Sequence, residues 1–326
     1  MVMGKIVRGL LLALLLPAAA SAAPFSGMYV FGDSLSDNGN LYATTQALHS
    51  VYGSLVPVVP AAPYYNGRFS NGPVAAEDIA SGLGLNGNFQ DFAYGGATSG
   101  VGNYVDGGSV TSAGLFGLPG LAGEIGTYTS TVGFADPNAL YMVWAGPNDY
   151  VAGSTNYSLA ASNVATAVQN LYNVGARHFL VANMPDLAMT PDYYGVASAQ
   201  QFAVGFNGLL AGDLAGLNTA GAQLTQFDTF GLFNEVLANP SAFGFTNVTD
   251  PCYTGGYTGM TSGDTICGNP GAYLFWDHFH PTAAGHQFLA DQMIAAMVPE
   301  PASVLLMVVG LGMVALRMRR RAACTA

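Results

Sequence analysis

The sequence predicts an α/β fold, a three-layer α/β/α sandwich on about five parallel strands. Short apolar, β-branched or aromatic runs alternate with longer segments of helical period, the pattern of parallel strands joined by crossover helices. Roughly 275 residues lie between two segments that read as processing signals, enough for one large domain with a substantial core. No internal repeat marks a second domain.

The strands are expected at Met28 to Phe31, Phe89 to Ala93, Ala139 to Ala145, His178 to Met184 and Leu224 to Asp228. Between the third and fourth, Leu159 to Asn173 puts Val164, Val168 and Leu171 on one helical stripe, and Gly175 stops the helix. Phe202, Phe206, Leu209, Leu210, Leu214 and Leu217 repeat that period before the fifth strand. Thr282 is placed to cap a last helix that buries Leu289, Met293 and Met297. Three long stretches, Gln46 to Phe69, Ser99 to Leu121 and Phe243 to Tyr273, are rich in Gly, Pro, Asn and Tyr. Loops of that length usually carry function or are mobile, so they are expected to wall a substrate cleft.

The ends read separately. Lys5 and Arg8 precede an apolar run from Leu10 to Leu16, and Ala20-Ser21-Ala22 supplies small residues for a signal peptidase. Residues 1–22 are therefore expected to be a secretion signal, since the run is far shorter than the roughly 20 residues that span a bilayer. At the other end Val298-Pro299-Glu300-Pro301 leads into an apolar stretch from Ala302 to Leu316, followed by Arg317, Arg319, Arg320 and Arg321. Residues 298–326 resemble a bacterial PEP-CTERM sorting tail. That resemblance implies an exosortase-type processing enzyme as partner and membrane attachment, transient or permanent. Arginines on one side of an apolar helix hold that side inward. The reading puts residues 25–297 outside the cytoplasm, at the surface of or beyond a Gram-negative cell.

Without its ends the chain keeps only Arg68 and Arg177 as basic residues against 18 acidic ones, a formal charge of −16. Such a domain repels phosphate backbones and anionic lipid, which argues against nucleic-acid binding. It favours neutral or cationic substrates. A chain that is 51% hydrophobic is not acidic because it is disordered. Cys252 and Cys267 enclose 14 Gly- and Thr-rich residues, and in an exported protein two cysteines so placed are expected to form a disulfide.

The first strand runs into Phe31-Gly32-Asp33-Ser34-Leu35-Ser36-Asp37-Asn38-Gly39-Asn40, which puts a serine at the carboxyl edge of a parallel sheet. Asp91 to Thr98 (DFAYGGAT), Trp144 to Asp149 (WAGPND) and Trp276 to Thr282 (WDHFHPT) follow in order. Together the four blocks resemble the SGNH/GDSL serine hydrolases, and further likeness at Gly67 to Pro73 and Gly175 to Pro191 extends it over nearly the whole domain. The resemblance implies a flavodoxin-like sandwich, an ester-cleaving enzyme of esterase or lipase type, and no cofactor or metal. It implies Ser34 as nucleophile, His280 as base and Asp277 as its partner. The oxyanion donors would be the Ser34 N–H, a glycine N–H of the second block and the Asn148 side chain.

The chemistry explains why such residues occur together. Serine attack needs a base that works near neutral pH, which His280 supplies, and Asp277 can hold its tautomer. The negative oxygen of the tetrahedral intermediate needs preorganised donors. Ser36 is a rival nucleophile, Asp33 a loop-positioning group, and Gly96 the expected donor with adjacent Gly95 as alternative. His278, two residues from His280, would point the other way in an extended segment; His178 belongs to strand packing, and His49 and His286 lie outside every block. Small-molecule or lipid esters are the expected substrates. The same residues would serve acyl transfer to an alcohol or polysaccharide deacetylation. A non-catalytic surface or matrix protein is the alternative from another class.

Overall fold

The computed structural model describes residues 25–298; the predicted secretion signal and nearly all of the predicted sorting tail lie outside them. Five strands form a wholly parallel sheet: β1 (Met28–Gly32), β2 (Phe89–Asp91), β3 (Leu140–Trp144), β4 (His178–Ala182) and β5 (Gln223–Phe227), in the order β2-β1-β3-β4-β5. All five lie where the apolar runs predicted them. Met28 pairs with Phe89 on one side and Leu140 on the other.

Successive side chains of the strands go to opposite faces. Phe31, Tyr141, Val143, Phe179 and Val181 enter one core, while Met28, Val30, Leu140, Met142 and Leu180 enter the other. Burial on both faces is why the strands read as near-continuous apolar runs. The helices are α1 (Asn40–Tyr52), α2 (Ala75–Gly82), α3 (Leu121–Val132), α4 (Pro147–Val151), α5 (Tyr157–Asn173), α6 (Ala197–Ala215), α7 (Thr229–Ala238) and α8 (Ala283–Met297). Helices α3, α5 and α6 contribute to the first core, and α2, α7 and α8 to the second, which completes the three layers. On α5 the predicted stripe of Val164, Val168 and Leu171 is buried; on α6 Phe202, Phe206, Leu210 and Leu214 are buried, whereas Leu209 is exposed. Thr282 caps α8 through its hydroxyl, which accepts the Gly285 N–H at 3.1 Å.

The long connections are only partly irregular. Helix α1 continues to Tyr52, inside the stretch read as loop. The segment after Phe243 supplies β6 (Asn247–Pro251), which pairs in parallel with β7 (Tyr273–Phe275) in a separate two-stranded sheet. Neither strand carries an apolar period, so both were missed. Cys252 and Cys267 form the expected disulfide just beyond β6, closing a loop that contains Tyr257. Closing a loop of this size is worth about 3 kcal/mol in the chain-entropy model. Cys252→Ser/Cys267→Ser is therefore expected to lose about that much stability in urea unfolding; an unchanged midpoint under non-reducing conditions would refute it. No described helix is long and apolar enough to cross a membrane.

Candidate active site

Strand β1 leads directly to Ser34, β2 to the turn holding Gly96, and β3 to Asn148 at the start of α4. These three strands flank the point where the sheet order reverses, the usual ligand position of an open α/β sheet. Gly32 makes the first approach possible: a Cβ there would sit 2.1 Å from the Trp144 carbonyl oxygen. The fourth segment leaves β7 and returns Asp277 and His280 to the same edge.

The structure brings Ser34, His280 and Asp277 into one hydrogen-bonded chain. Ser34 Oγ lies 2.7 Å from His280 Nε2, and His280 Nδ1 lies 2.8 Å from Asp277 Oδ2. A carboxylate can only accept, so Nδ1 carries the proton and Nε2 accepts from the Ser34 hydroxyl. The Asp277 Oδ1 also accepts the N–H groups of Phe279 at 2.7 Å and His280 at 2.6 Å. All three residues are buried.

A fourth member of this chain was missed in the sequence: the Tyr64 hydroxyl donates to Asp277 Oδ2 at 2.7 Å. Burial would push the Asp277 carboxyl up, but the His280 ring, the His280 N–H and Tyr64 together hold it below the ordinary carboxylate range. Burial and the adjacent carboxylate push the Tyr64 phenol far up, so it stays a donor. Tyr64 is 213 residues from its partner, and no local spacing announces the pair.

The two adjacent glycines differ in their surroundings. The Gly95 N–H donates to Asp37 Oδ2 at 2.7 Å, whereas Gly96 faces the cleft. Gly96 has φ +79°, and a Cβ there would lie 2.5 Å from both Asn103 Oδ1 and Val105 Cγ2, so only glycine fits without displacement. Asn148 is anchored by one donor, Nδ2 to the Ala97 carbonyl at 3.0 Å, and also lines the cleft. The amide has a second proton to offer.

Buried acids hold these loops in place. Asp37 accepts the N–H groups of Gly39, Asn40, Leu41 and Gly95, tying the Ser34 loop to the Gly96 turn. From α3, Glu124 accepts the N–H groups of Gly32 and Tyr94. Asp149 accepts the Ser99 hydroxyl and N–H, each at 2.7 Å. Burial pushes Asp33 up to about 7, against the Leu35 N–H that its carboxylate accepts. Asp33 thus supports the turn that carries Ser34.

The remaining candidates fall elsewhere. Ser36 Oγ is buried with no hydrogen-bond partner among the described residues. His278 turns away from His280 and faces the Asp192 carboxylate at 3.4 Å. His178 contacts Gln223 on β5, His49 contacts the Val56 carbonyl, and buried His286 accepts the Ala75 N–H at the start of α2. Burial drives the His286 ring down to about 3, so it stays neutral. No group of three or more metal-binding side chains occurs among the described residues.

The cleft over Ser34 has a volume of about 120 Å³. Phe69, Tyr104 and Tyr257, from the three long stretches predicted to form its walls, line it together with Asp192, Tyr193 and Phe279.

Residues 28–293 match the family model described as GDSL-like Lipase/Acylhydrolase. The chain is similar to a phosphatidylcholine-sterol acyltransferase of Aeromonas hydrophila, 28% identical over 86% of this chain and 92% of that protein. It is 31% identical, over 84% of its own length, to an uncharacterized protein of the trpE-trpG intergenic region of Pseudomonas putida. Esterase EstA of Pseudomonas aeruginosa is 30% identical over 89% of this chain. The chain spans about half the length of the two Pseudomonas proteins, 49% and 50%.

Proposed function

The chain belongs to the GDSL-like lipase/acylhydrolase family, and from that premise we propose that it is an exported esterase working through an acyl-Ser34 intermediate. One observation carries the reading: the unbroken contact from Ser34 Oγ through the His280 ring to Asp277, beside Gly96 and Asn148 in one cleft. His280 Nε2 takes the hydroxyl proton as Ser34 Oγ attacks the ester carbonyl, and Asp277 stabilises the resulting imidazolium. The Ser34 and Gly96 N–H groups and the free Asn148 amide proton receive the oxyanion. The imidazolium then protonates the leaving alcohol, and water activated by His280 releases the acid.

An alcohol could replace water in the last step. The likeness to the Aeromonas acyltransferase supports that second outcome from the same intermediate. The disulfide favours an oxidising compartment, which accords with export to the cell surface or beyond. Signal peptidase and an exosortase-type enzyme would then process the two ends.

Labelling by a fluorophosphonate probe tests the nucleophile: the wild type should react and Ser34→Ala should not. An unreactive wild type would support a binding protein instead, and a reactive Ser34→Ala would move the nucleophile to another serine. Asn148→Ala is expected to lower kcat by about a hundred- to a thousandfold with little change in KM. A loss confined to KM would remove Asn148 from the oxyanion site.

A further inference from the structure

We infer that the cleft takes a carboxylic ester of a positively charged alcohol, its quaternary ammonium group held by aromatic rings and the Asp192 carboxylate. The inference rests on the proposed hydrolysis at Ser34 and names the substrate class for that site.

The cleft lining combines five aromatic rings, Phe69, Tyr104, Tyr193, Tyr257 and Phe279, with a single carboxylate outside the reacting groups, Asp192. The rings flank the base: Phe69 lies 4.9 Å and Phe279 5.4 Å from the His280 ring, centroid to centroid. Phe69 meets Tyr257 at 5.3 Å, and Phe279 meets Tyr193 at 6.0 Å. Ring faces attract cations through their quadrupole, the more so when water is excluded. Asp192 sits at the mouth with its side chain 54% exposed. It is near enough that its charge adds to the upward push that burial gives the Tyr104 and Tyr257 phenols.

No arginine or lysine lines this cleft. Arg68 is paired with Glu77 at 2.6 Å, and Arg177 lies against the Tyr172 ring and carbonyl at the opposite end of the sheet. They are the only basic residues between positions 25 and 298, against 18 acids. A substrate phosphate or carboxylate would find no arginine or lysine, only the His278 ring 3.4 Å behind Asp192, whereas the net negative field draws in a cation. A soluble choline-type ester satisfies both conditions and a phosphocholine head group only one.

The test compares acetylcholine with 3,3-dimethylbutyl acetate, which has the same shape and no charge, on one preparation of the full chain. The expected kcat/KM ratio is about tenfold in favour of acetylcholine, falling about threefold in Asp192→Asn and with added salt. Because the ratio is internal, a folding defect in the variant cancels. Choline, unlike 3,3-dimethylbutanol or phosphocholine, should also slow fluorophosphonate labelling. A ratio of one or below in the wild type, or equal protection by the neutral alcohol, overturns the cation site and leaves the hydrolase intact. Equal protection by phosphocholine overturns the exclusion of anionic groups. Failure of both esters with labelling retained overturns this substrate class, while loss of labelling as well removes the hydrolase reading itself.

Discussion

His280→Ala should lower kcat for p-nitrophenyl ester hydrolysis by about a millionfold, and adding Ser34→Ala should cost nothing further. The reason is geometric. The hydroxyl and the ring meet at 2.7 Å, so each group works only through the other: without the ring the hydroxyl keeps its proton, and without the hydroxyl the ring has no nucleophile to activate. Residues acting as one unit lose their effect once, which makes the double variant the informative one. What survives is what the oxyanion donors and substrate binding supply alone. His278→Ala should retain most activity, because that ring faces Asp192 at 3.4 Å, not Ser34. Activity in the double variant well below either single one would show that the two act separately. A comparable loss in His278→Ala would transfer the role of base.

Those two histidines mark what the sequence made legible. The five strands were readable because burial on both faces leaves long apolar runs, and the four loop blocks because each follows a strand or closes on the last helix. The meeting of Ser34 with a ring 246 residues away became legible only through the order of the blocks. The supports were not readable. Asp37 belongs to the first block with no role that its spacing announces, yet its carboxylate accepts the Gly95 N–H. Glu124 lies on α3 in none of the four blocks, yet its carboxylate is buried against the Gly32 N–H. Backbone donors in a distant loop leave no spacing in the sequence, so acids that accept from them resemble solvated ones. Strands β6 and β7 escaped for a simpler reason: NVTDP and YLF are too short or too polar to show a period.

Asp277→Asn should lower kcat by about ten-thousandfold, and the hydrogen bonds around the carboxylate dictate how. Oδ1 accepts two backbone N–H groups, from Phe279 and His280. An asparagine would have to keep its oxygen there, because turning its NH2 toward two donors would leave all of them buried and unpaired. The NH2 then occupies the Oδ2 position, 2.8 Å from His280 Nδ1. The retained oxygen, 3.0 Å from Nδ1, already accepts two backbone N–H groups, so the donor facing Nδ1 shifts the proton toward Nε2, and a protonated Nε2 cannot accept from Ser34. Fluorophosphonate labelling should slow in proportion, since it needs the same proton transfer. Tyr64→Phe removes one donor from that carboxylate without altering the tautomer, so kcat should fall only about tenfold with KM unchanged. In the double variant the tyrosine should no longer matter, because its hydroxyl acts only through the charge it stabilises. Asp277→Asn within tenfold of wild type would mean that the ring finds its tautomer unaided. A Tyr64→Phe loss that persists undiminished in the double variant would give Tyr64 a role apart from Asp277.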